Sequence, residues 1–177
     1  MQKLNIAILS YRSAPFGGGQ GIYIHDISKA LSYMGHQVDV ISGPPYPNLD
    51  EKVNLIKLPG LDLFQTFSFK DRLKIFIKKK NKRAIDFYEF FSTFFGGFPE
   101  MRTFGERAKE FLDINNQFDI VIDNQSISYG LLEIQKKFPL LEIIHHPITK
   151  DYKFELQSNR SLMYRLSRHR WYSFLKM

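Results

Sequence analysis

The chain has 177 residues, 44% hydrophobic and 15% aromatic, which suffices for one domain with a real core, is too few for two large ones, and excludes a disordered chain. It contains no cysteine, so disulfide stapling and thiolate metal ligation are excluded, as suits a reducing compartment. A net charge of +7 points to an acidic partner such as anionic lipid, nucleotide or nucleic acid.

In chain order, Met1–Ile6 reads as the start of a buried strand, which runs from Leu4 to Leu9. It lacks the longer apolar region and cleavage site of a signal peptide. No stretch approaches the ~18 consecutive apolar residues of a spanning helix, so a soluble or peripheral protein is expected. Gly17-Gly18-Gly19-Gln20-Gly21 follows, then an amphipathic helix from Ile22 to Met34 that ends at Gly35-His36. Glycines at a strand-to-helix turn let backbone N–H groups close on an anion at the positive end of a helix. A second strand occupies Val38–Ser42, giving β–Gly-rich loop–α–β, an α/β phosphate-binding start.

Gly43-Pro44-Pro45-Tyr46-Pro47 breaks regular structure, and Val53–Leu58 predicts a third strand, stopped by Pro59-Gly60. From Ser68 to about Leu112 the apolar residues recur at helical spacing, with an interruption at Gly96–Pro99. The remaining elements are a fourth strand at Phe118–Asp123, a helix from Ile127 to Lys137 and a fifth strand at Leu140–Ile144. Ser158 or Asn159 offers a cap for a last helix from Arg160 to Met177, which carries no stop signal and reads as cut short. Continuously apolar strands alternating with helices mean a mostly parallel sheet covered on both faces.

Three stretches carry candidate chemistry. The glycine loop does not fit the dinucleotide fingerprint, because Ile24 stands where a third glycine or alanine belongs and Ser42-Gly43 offers no acid for a ribose. It is no P-loop, since no Gly-Lys-Ser/Thr follows, and the bland alternative is a turn without a ligand. The second stretch, His145-His146-Pro147, arrives at the carboxyl end of the fifth strand, where open α/β sheets bind ligands. Adjacent strand histidines point to opposite faces and no ligand cluster accompanies them, so no metal is expected. The third is the basic segment Lys70–Arg83, interleaved with Leu73, Ile75, Phe76 and Ile77, which suits an anionic lipid surface or a solvated helix face. Nucleic acid is disfavoured, as no recognised motif accompanies it.

Three stretches in this order and spacing resemble the N-terminal half of GT-B glycosyltransferases, specifically the large retaining family 4. They are Ile6–Leu9 followed by Phe16–Gly21; Ile22–Leu31 followed by Gly35-His36-Gln37-Val38-Asp39-Val40; and Ile143-Ile144-His145-His146-Pro147. The resemblance implies one Rossmann-like half of a two-domain fold, with residues 1–157 as the acceptor-side domain. Residues 158–177 would then lead toward a donor-binding domain absent from this chain. It implies that His145 is the active-site histidine near the transferred sugar. It places Gly18, Gly19, Gln20 and Gly21 near a donor diphosphate or acceptor phosphate, and Asn124 and His146 in an acceptor pocket. The implied substrates are a nucleotide-sugar donor and a glycan or lipid-linked acceptor, with no cofactor or metal. The setting would be the bacterial cytoplasm or, through Lys70–Arg83, the inner membrane face. Half an active site is expected to transfer no sugar alone. The rival reading is a non-catalytic phospholigand-binding module that pairs with a separately encoded donor domain; a nicotinamide-dependent dehydrogenase fits worse, for want of the fingerprint.

Overall fold

A computed structural model describes residues 2–15, 19–63, 66, 68–158 and 161–173. Its centre is a five-stranded, wholly parallel sheet in the order β3-β2-β1-β4-β5. The strands are β1 (Asn5–Ser10), β2 (Gln37–Ser42), β3 (Asn54–Lys57), β4 (Ile120–Asn124) and β5 (Leu140–Ile143). Central strands β1 and β4 carry consecutive apolar residues, Ile6–Leu9 and Ile120–Ile122, and β2 carries Val38, Val40 and Ile41 around a buried Asp39, because both faces are covered. Alternation of side chains splits them between two layers. Ile6, Ile8, Val38, Val40 and Ile122 pack with Ile24 of α1 (Gly19–Tyr33). Ala7, Leu9, Ile41 and Val121 pack on the other side against Phe104, Ala108 and Leu112 of α4 (Glu100–Ile114) and Leu131 and Ile134 of α5 (Tyr129–Ile134). The Rossmann-like α/β reading therefore holds.

Local signals explain the main boundaries. Helix α1 stops at Gly35, whose φ of +93° costs no Cβ clash, while the His36 N–H returns to the Leu31 carbonyl. It starts earlier than its sequence pattern suggests, so Gly19, Gln20 and Gly21 form its first turn rather than a loop.

The expected helical stretch divides into α2 (Phe69–Lys78), α3 (Ala84–Ser92), a 3₁₀ turn at Thr93–Phe95 and α4. The break at Gly96–Pro99 is where the sequence places it. A second break, at Lys79–Arg83, interrupts the basic segment: Asn81 is left-handed and the Arg83 N–H donates to Asp86 Oδ2 at 2.8 Å, starting α3 afresh. Lys79 has left the helix to reach Asp86 Oδ1 at 2.6 Å.

Helix α5 is shorter than Ile127–Lys137 because Ser126 and Ile127 are held in a turn by Asp123. The chain after β5 differs most. Ile148–Ser158 is an additional helix, α6, and only Ile148 in it is buried, so it leaves a weak apolar period. Ser158 closes α6, its hydroxyl donating to the Glu155 carbonyl, and Ser161 occupies the N-cap position of α7 (Leu162–Trp171). Asn159 and residues 174–177 lie outside the described residues. Helix α7 is docked: Trp171 stacks on Phe98 with ring centroids 5.2 Å apart, and Tyr172 packs with Met101 and Ile148.

A buried ionic network joins α3 to α4. Arg107 donates from Nη2 to Asp86 Oδ1 at 2.8 Å and to Glu89 Oε2 at 2.6 Å, while Glu89 Oε1 accepts the Leu61 N–H at 2.8 Å. Burial opposes the Asp86 charge, yet hydrogen bonds from Lys79, the Arg83 N–H and Arg107 hold its carboxyl below the usual carboxylate range.

Candidate active site

The strand order reverses between β1 and β4, where an open parallel sheet leaves a crevice beyond its carboxyl ends. Polar residues concentrate there. Ser10 ends β1, Asn124 ends β4, and all of Ser10, Ser13, Asn124 and Gln125 are fully buried. The Ser10 and Ser13 hydroxyls lie 2.5 Å apart, and Asn124 Nδ2 donates to Ser10 Oγ at 3.3 Å. That orientation turns Asn124 Oδ1 toward His145, whose Nε2 is 2.5 Å away. The imidazole therefore donates from Nε2 and keeps Nδ1 as an acceptor.

His145 is held at three further points. Tyr23 of α1 meets its ring edge-to-face, with centroids 4.9 Å apart. Its backbone N–H donates to Gln125 Oε1 at 2.9 Å, and Gln125 Nε2 donates to the His146 carbonyl at 2.8 Å. One amide side chain thus pairs with the backbone on both sides of His145, as a neighbouring strand would. Burial, and then His146, lower the His145 pKa from its ordinary value, so the ring is neutral at pH 7. The result is an uncharged, fixed imidazole at the mouth of the crevice.

The residues singled out from the sequence fare differently. His145 stands at the carboxyl end of the sheet, as expected, and it is His145 rather than His146 that pairs with Asn124. Asn124 is buried, with both ends of its amide engaged by Ser10 and His145. The His146 ring is exposed, with Nε2 3.8 Å from Asp151 Oδ2, a half-exposed carboxylate. Gly18 lies outside the described residues. Gly19 and Gln20 open α1 beside the crevice, and Gln20 hydrogen-bonds Tyr11, whose phenol burial and Glu100 push up to about 12. Gly21 meets the protein itself: a Cβ there would stand 2.1 Å from the Ala14 carbonyl oxygen. Its missing side chain admits the Ser13-Ala14 loop against α1.

Sequence reasoning missed Ser10, Ser13, Tyr23 and Gln125. The available signal was polarity in the wrong place: Ser10 closes an otherwise apolar run, and Asn124-Gln125-Ser126 does the same for β4. Among the described residues no group of three His, Asp or Glu side chains is placed to hold a metal ion.

The model of Glycosyltransferase Family 4 matches residues 17–176. An MMP alpha-(1->4)-mannosyltransferase of Mycolicibacterium hassiacum is 44% identical over 98% of this chain. The chain covers 42% of that protein, less than half its length. A solved glycosyltransferase from Rickettsia africae is 14% identical, with a TM-score of 0.42 over 88% of this chain and 34% of its own.

Proposed function

The chain belongs to glycosyltransferase family 4, and on that premise we propose that it forms the acceptor-side domain of a retaining, nucleotide-sugar-dependent glycosyltransferase. The observation that carries the reading is the fixed, neutral His145 at the crevice between β1 and β4. An imidazole held through Nε2 offers Nδ1 to a hydroxyl of the transferred sugar without adding a charge. Asn124, Gln125 and Tyr23 fix its direction, which is the kind of pre-organisation that transition-state binding requires. His146, beside it, faces the acceptor. The first-turn amides of α1 at Gly19 and Gln20, together with Gly18, meet a phosphate of donor or acceptor. No metal has a role in this reading. The relative's name supports a hexose, mannose among the candidates, as the group transferred.

The donor's base and diphosphate would be held by a second domain, so the 177-residue chain alone transfers no sugar at a useful rate. The setting we propose is the cytoplasm, at the inner membrane face. Helix α2 supports this: it has no buried residue, exposes Phe69 and Ile77, and carries Lys70, Lys74 and Lys78. No helix among the described residues is long and apolar enough to cross a membrane.

The test is a chimera in which this chain replaces the matching part of the Mycolicibacterium mannosyltransferase. Transfer of mannose by the folded chimera supports the reading. A folded chimera that binds the donor yet transfers nothing to any acceptor of the relative overturns it.

A further inference from the structure

On the face of the sheet opposite His145 lie two carboxyls side by side. Asp123 of β4 and Glu142 of β5 are register partners, and their side chains meet. Asp123 is fully buried and its carboxylate is richly provided with donors: the Ser126 N–H at 2.7 Å, the Ser126 hydroxyl, and the Ile127 N–H. Glu142 has no such company, and its Oε1 is buried without an N–H or hydroxyl partner. Two carboxyls can hydrogen-bond only when one keeps its proton.

What Asp123 grips is the turn that holds His145. Gln125 and Ile127 both have left-handed backbones, with φ of +52° and +36°. That conformation is costly for a β-branched residue such as Ile127 and persists only where the surroundings enforce it. Gln125, in turn, clamps the backbone on either side of His145, and Asn124 holds the ring.

We propose that Asp123 and Glu142 are positioning residues for His145, a pair sharing one proton whose charge state sets the Gln125–Ile127 turn. With the proton in place, Glu142 donates to Asp123, and the single negative charge is spread over the donors of the turn. Without it, the buried Asp123 and the half-buried Glu142 face each other as two carboxylates and push β4 and β5 apart at the end that carries Asn124 and His145.

Burial and the neighbouring Asp123 push Glu142 up to about 9, while burial raises Asp123 against the pull of the Ser126 and Ile127 hydrogen bonds. The proton therefore resides on Glu142 at neutral pH. Tyr11, just after β1, is a further titratable group whose ionisation the Asp123 charge affects. The covering helices α4 and α5 bring Phe104, Ala108, Leu131 and Ile134 to this layer. Arg107 of α4 is committed to Asp86 and Glu89, and Glu133 of α5 to Lys136.

The test reads the imidazole of the ¹⁵N-labelled chain by long-range ¹H–¹⁵N correlation between pH 7 and 10. His145 is expected as a single Nε2–H tautomer at pH 7, losing that signature with a midpoint near 9. Glu142→Gln keeps a donor to Asp123 with no proton to lose, so its His145 signature should persist through pH 10. Glu142→Leu leaves Asp123 on its Ser126 and Ile127 donors with no second carboxylate to repel, so it too should lose the alkaline transition. The proposal is overturned if wild-type His145 is unchanged across the range or if Glu142→Gln keeps the transition. It is also overturned if the whole spectrum collapses together, since that is global unfolding. The wild-type titration decides the matter even where a variant fails to fold. Because the readout is the ring itself, its failure is separate from a failure of the role proposed for His145 in transfer.

Discussion

Gly21→Ala and Gly19→Ala, two residues apart in the first turn of one helix, should move stability in opposite directions. At Gly19 an added Cβ has no described atom within 4 Å, and the backbone is already helical. Removing glycine there restricts the unfolded chain at no native expense, a gain of about 0.4–1 kcal/mol. At Gly21 the same methyl would stand 2.1 Å from the Ala14 oxygen, 2.8 Å from its carbonyl carbon and 3.0 Å from the Ser13 oxygen. These are backbone atoms, pinned by the Ser13 N–H to the Pro45 carbonyl at 3.0 Å, so no side chain can swing aside. Overpacking costs about 1–3 kcal/mol, and the helix-propensity gain of about 1 kcal/mol offsets part of it. The 2.1 Å approach to backbone puts the overpacking at the upper end of that range, so the net expectation is a loss of about 2 kcal/mol. Equilibrium urea denaturation of both variants measures this, and the His145 imidazole signals should shift only in Gly21→Ala, because the displaced Ser13 carries the Ser10–Asn124–His145 chain. A Gly21→Ala variant as stable as the wild type would refute the packing argument and return Gly21 to a purely ligand-facing role.

Arg107→Met should cost about 3–5 kcal/mol by urea denaturation, because it strands the buried Glu89 with only the Leu61 N–H. A loss under about 1 kcal/mol would contradict it. The triple change Lys70→Glu, Lys74→Glu, Lys78→Glu should abolish co-sedimentation with phosphatidylglycerol vesicles, while wild type binds these and ignores phosphatidylcholine. Equal binding of both vesicle types, or unchanged binding by the variant, would remove α2 from a membrane role.

The parts of this fold that could be read beforehand are those in which local chemistry and burial agree. The apolar runs of β1 and β4, the mainly apolar Val38–Ile41 of β2 and the Gly35 stop of α1 announce a parallel sheet, and the position of His145 follows from that topology. Elements whose stability is tertiary were not legible. Helix α6 buries only Ile148, so its pattern is that of a loop. Asp86, Glu89 and Arg107 look like a solvated helix face, and their burial depends on a pairing across 18 to 21 residues. Gly21 is a sharper case: glycine there answers a close approach by Ala14, and the sequence carries no mark of which neighbour, ligand or backbone, comes near. Gln125 was missed for the same reason, since its partners lie 20 and 21 positions away.

The central claim is that His145 acts on the sugar during transfer. Its most direct test compares His145→Ala with the parent in the chimera carrying the remainder of the Mycolicibacterium mannosyltransferase. The account predicts a fall in kcat/KM of about a hundredfold or more in a variant that urea denaturation shows to be still cooperatively folded. Unchanged kcat/KM in a stably folded variant would contradict it and take His145 out of the active site.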